Sequence, residues 1–133
     1  MSLAHYRNTA QRTDTPRETE IRVFAHVNAL LAGAGSAAAR VAALHTNHKL
    51  WGVLLMDLAS PNNSLPRELR GRLAGLAIWV QRESTRLMAS TDPLDALIGI
   101  NRDMAEGLAA QRDAAAPPIP PAPPGQSFAP AVA

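Results

Sequence analysis

The stretch HTNHKLWGVLLMDLASPNNSLP, His45–Pro66, decides how the rest of the chain is read. It sets two histidines, an aspartate and three asparagines around an apolar run headed by Trp51. Two readings compete. The polar residues form a metal or catalytic site, or one helix ends here and another begins.

Spacing favours the second reading. Ala37, Val41, Leu44, His48, Trp51, Leu55 and Leu58 follow at alternating intervals of four and three. That is the seam of a helix packed lengthwise on its neighbours. SPNNSLP, with two prolines, is a turn cluster, and Asn62 and Asn63 serve it as turn formers. His45 and His48 stand i,i+3, a spacing that can supply two metal ligands, but a site needs a third and usually a fourth. Asp57 points away from them along the helix. The pair therefore reads as structural or solvated, and His5 and His26 stand alone.

Outward from this segment the pattern stays helical. Pro66 opens a helix whose stripe is Leu69, Leu73, Leu76, Val80 and Leu87, with Glu68 and Arg72 paired i,i+4 on its wet side. Upstream, GAGS at 33–36 ends one helix and leaves Ser36 to cap the next. TPRE at 15–18 starts the helix before it: Thr15 caps, Pro16 fits the first turn and Glu18 closes a capping box. Ile21, Phe24, Val27 and Leu31 are its expected buried stripe, and a short helix after Ser2 carries Leu3 and Tyr6. Downstream, TDPLD predicts a start capped by Asp92 with Pro93 in the first position. Leu94, Leu97, Ile98, Met104 and Leu108 follow as its stripe. The expected fold is all-α: a compact bundle of about four main helices plus a short N-terminal helix. The helical domain spans residues 1–112, and residues 113–133 form a disordered Pro/Ala-rich tail.

Composition bounds the function. The 133 residues suit one domain and contain no cysteine, which excludes disulfides and thiolate metal sites and fits a reducing compartment. The N-terminus lacks the apolar core of a secretory signal, and the longest apolar stretch, LAGLAIWV at 73–80, is too short to cross a bilayer. A cytoplasmic protein is expected. The pI near 9.9 accompanies a net charge of only +2, and the arginines are scattered, so RNA is not indicated as a direct ligand. Phosphate-cradling glycine loops, nucleophile elbows and isolated carboxylate pairs are missing, so catalysis is not expected.

Four residues keep two readings each. Trp51 and Trp79 serve either as core or as the lining of a groove for a partner helix. Asn47 and Asn101 fall inside helices, where asparagine is mildly unfavourable. Interhelical hydrogen bonds would account for them, and so would exposure.

Several motifs together resemble one family. They are YR at 6–7, TPRETEIRVF at 15–24, NHKLW at 47–51, NNSLPRELR at 62–70, WVQR at 79–82 and LIGINRDMAEGL at 97–108. In order and spacing they resemble the FlaF family of bacterial flagellar biosynthesis regulators. The alanine-glycine stretch from Ala32 to Ala43 is blander than the family pattern, and the proline tail is an addition. The resemblance implies a small protein that acts on flagellin, favouring its synthesis or delivery for export, alongside and against a FlbT-type translational repressor. It brings no catalytic residues, cofactor, metal or small-molecule substrate. Flagellin's chain ends form amphipathic helices that need covering before assembly. A helix-in-groove site for them is expected around Trp51, Leu55, Leu69 and Trp79, with Tyr6, Arg17 and Arg22 on its rim. The rival expectation is regulation of flagellin mRNA translation, directly or through the FlbT-type partner.

Overall fold

Boundary chemistry sets the elements. The computed structural model describes residues 16–114. Among them are four α-helices and no strand: α1 Pro16–Ala32, α2 Ala37–Ala59, α3 Arg67–Met88 and α4 Asp95–Ala114. The expected helix around Leu3 and Tyr6, the Thr15 cap and the proline-rich segment lie outside the described residues. α4 runs two residues past the expected boundary at 112.

Ser36 caps α2 as its position predicts, its Oγ accepting from the Ala39 amide at 3.0 Å. The turn after α2 is built from its own polar side chains. Ser60 Oγ accepts from the Asn62 amide at 3.2 Å, and Asn63 Oδ1 accepts from the Leu65 amide at 3.0 Å. Pro66 then sits as the N-cap of α3.

Asp92 does not cap α4. Its carboxylate pairs with Arg86 at 3.0 Å, and its carbonyl accepts from Arg40 Nη2 at 2.7 Å. The first α4 bond runs instead from the Ile98 amide to the Leu94 carbonyl at 3.1 Å. The helix therefore starts later than the Asp-Pro signal suggests, because that carboxylate is engaged by the end of α3.

The α2 seam is real but turned. Leu44, Trp51 and Leu58 are buried as expected, whereas Val41 is exposed and His48 half-buried. Asn47 takes the enclosed place, together with Ala43 and Leu50. A polar residue occupies the core face because partners on two other helices satisfy it. On α1 the buried set is Thr19, Val23, Phe24, Val27 and Leu31, with Ile21 packed at the edge.

α2 packs closely on α3, α1 on α4, and α1 joins the two pairs through α2. Both pairs are antiparallel. As α2 advances from Arg40 to His48, its α3 partners retreat from Leu87 to Gln81. Asn28 bonds the Ile98 carbonyl while Phe24 and Met104 share a cleft wall. α3 thus has one close helical neighbour among the described helices.

Candidate functional site

The two tryptophans have opposite fates. Trp51 is wholly enclosed and meets Phe24 edge to face, ring centroids 5.7 Å apart. Its indole N–H donates to Asn101 Oδ1 at 2.8 Å, and Asn101 Nδ2 donates to Asn47 Oδ1 at 2.8 Å. Asn47 Nδ2 donates to Ser84 Oγ at 3.0 Å, whose hydroxyl ends the relay on the Val80 carbonyl at 2.7 Å. The relay crosses α2, α4 and α3 through the core, every donor facing the same way, so neighbouring bonds polarise one another. It settles the two mid-helix asparagines as interhelical partners. Removing an indole of this size from water contributes about 5 kcal/mol, and the relay satisfies the polar atom that such burial would otherwise strand.

Trp79 is 45% exposed. It lies on the α3 flank away from α2, since Gln81, roughly half a turn around the helix, reaches the His48 carbonyl at 3.2 Å. Gly75 and Gly71 precede it at i−4 and i−8, both exposed, and a Cβ on either would meet nothing within 4 Å. Half-buried Leu69 and Leu76 border the same strip, as do exposed Arg72 and Arg82. Neither arginine is ion-paired with a described residue. Among the described residues nothing packs closely enough to require glycine at 71 or 75, yet each costs about 1 kcal/mol against alanine in a helix.

The residues expected to form one groove are therefore distributed. Trp51 belongs to the interior and can meet a partner only if the bundle opens. Leu55 is half-buried against the core. Leu69 and Trp79 share the outer side of α3. Arg17 stands on α1, paired with Glu20 at 3.1 Å, and Arg22 is on the same helix. Tyr6 lies outside the described residues.

A second concavity was not anticipated. Val23 and Phe24 of α1, Leu50, Val53 and Leu54 of α2, and Met104 and Leu108 of α4 wall a cleft of about 140 Å³, with Glu20 and Asp57 at its edge. Helical periodicity marks these residues as apolar, but their convergence depends on how three helices dock.

At the α3–α4 turn, Arg86 grips Glu83 through two bonds of 2.8 Å and reaches Asp92 at 3.0 Å. The Arg86 guanidinium holds both carboxyls below the usual range, with the Ser90 hydroxyl assisting at Asp92. This cluster is solvent-exposed and fastens a turn. His45 is exposed and His48 half-buried, and among the described residues no three His, Asp or Glu side chains converge to hold a metal ion. No helix of the described residues is long and apolar enough to cross a membrane.

Fold and surface together describe a small all-helical bundle pinned by a polar relay and offering apolar faces on its outside. The family model for flagellar protein FlaF matches residues 2–108, and the chain belongs to that family. This is a flagellar family. No curated protein and no solved structure matches the chain.

Proposed function

We propose that this protein works in the cytoplasm as a chaperone-like factor that binds flagellin and supports its synthesis or export, without catalysing a reaction. Family membership supports the flagellar setting. One structural observation supports the binding reading: an exposed tryptophan follows two exposed glycines on a helix with one close neighbour among the described helices. A partner helix laid along Gly71 and Gly75 can approach the α3 backbone closely and stack on Trp79, with Leu69 and Leu76 beneath it. Aromatic anchors of this kind carry a disproportionate share of binding energy. Arg72 and Arg82 form the rim, which adds register and association rate more than affinity.

The test is to mix purified protein with flagellin and resolve the mixture by size exclusion. A co-eluting complex that Trp79→Ala abolishes is expected. Failure of the unaltered protein to bind refutes the reading.

A second reading is action on flagellin mRNA, directly or through a FlbT-type regulator. Its support is the charge of α3, which carries Arg67, Arg70, Arg72, Arg82 and Arg86 against Glu68 and Glu83. Phosphate contacts release counterions, so RNA binding should weaken steeply as salt rises. An apolar helix contact should change little, and RNase treatment should leave it intact.

A further inference from the structure

The cleft between α1, α2 and α4 shares no lining residue with α3. Seven of its nine lining side chains are apolar, and the other two are the carboxylates Glu20 and Asp57. Glu20 is engaged by Arg17 at 3.1 Å. Asp57 is exposed and receives one contact from Asn63 Nδ2 at 3.3 Å on Oδ2, with no ion pair to a described residue. The edge as a whole, with Arg17 counted, keeps an excess negative charge at the Asp57 end. The volume, about 140 Å³, is close to that of cavities that accept one benzene-sized group, about 150 Å³. Val53 stands 40% exposed at the lip, and Met56, on the same helix, is 76% exposed.

From these features we infer a second docking site, separate from the Trp79 face. Its occupant is an amphipathic helix of a partner protein that inserts one large apolar side chain and carries a lysine or arginine about one turn away. The apolar group displaces water between Phe24, Leu54 and Met104. The cation meets Asp57, and the like-charged alternative is disfavoured there. Two separate surfaces would let the protein hold flagellin on α3 while a second protein engages the opposite part of the bundle.

The experiment uses the full chain and a synthetic amphipathic helix with one phenylalanine flanked by arginines, beside a twin in which glutamates replace the arginines. Peptide anisotropy and amide chemical shifts of the protein are recorded. The arginine peptide should bind, shifting amides of Val23, Leu50, Val53 and Met104, and the twin should bind about tenfold more weakly or worse. Val53→Arg, at an exposed lip position, should abolish binding with the thermal transition unchanged. Should that variant melt early, Asp57→Asn at the exposed edge takes its place, with a severalfold loss expected. Trp79→Ala should leave peptide binding untouched while removing flagellin binding, which separates this site from the α3 face. Equal affinity for the two peptides, or shifts confined to α3, would overturn the inference. So would sedimentation showing that a second copy of the chain already fills the cleft.

Discussion

Trp51 and Trp79 sit on adjacent, antiparallel helices, yet one is enclosed and the other is open to solvent. Trp51 is held by an edge-to-face phenylalanine and by a relay of side-chain amides and a hydroxyl. Trp79 follows two glycines that leave its flank bare. The contrast teaches that the same residue type is fixed here by what its helix faces. α2 lies between α1 and α3 and encloses its indole, whereas α3 has one close neighbour among the described helices and presents its own outward.

Mutation should widen that contrast most at the two rings themselves. Trp51→Ala should cost about 3–5 kcal/mol, a large part of the stability of a domain this size. Chemical denaturation would read it as a large fall in midpoint. Trp79→Ala, at a ring 45% exposed, should cost about 1–2 kcal/mol, well short of Trp51→Ala, and its main effect should appear in flagellin binding.

The relay comes next. Asn101→Ala strands both the Trp51 indole N–H and Asn47 Oδ1, and should cost about 2–4 kcal/mol. Trp51→Phe strands the Asn101 oxygen alone and should cost about 1–3 kcal/mol. If the two losses proved fully additive in the double variant, the relay would not be acting as a unit. A smaller effect of opposite sign belongs to the glycines. Gly75→Ala should stabilise the protein by about 0.5–1 kcal/mol in thermal unfolding, because the added methyl meets open space. The same methyl should weaken flagellin binding by standing beside Trp79.

The smallest effect concerns acid. Glu83 and Asp92 have folded pKa values lowered by Arg86, so their contribution is present above the unfolded values of about 4. It is lost as pH falls through the lowered ones. Asp92 is exposed and Glu83 lies at the surface, half-buried, so screening keeps the contribution slight. Arg86→Ala should narrow the gap between thermal midpoints at neutral and acid pH.

Much of this arrangement was legible from residue spacing. The helical segments, the Ser36 cap and the turn at Ser60–Pro66 follow from short-range rules that need no tertiary information. The face of α2 was harder to read, because Asn47 counts as polar until Ser84 and Asn101 are placed beside it. Asp92 misled for a similar reason: a cap-like residue before proline was engaged by Arg86 and Arg40 from other elements. Trp79 lies in LAGLAIWV, which suggests interior, and its exposure depends on which helices fail to pack on α3. The cleft was the least legible feature, since its walls come from helices distant in the chain.

Whether the bare glycine strip beside Trp79 is a docking face is decided by titrating flagellin into the unaltered protein and into the Gly75→Ala variant, with unfolding curves recorded on both. The first should form a saturable complex, and the second should be more stable yet bind markedly more weakly. Equal affinity in the two proteins would contradict a docking role for that strip.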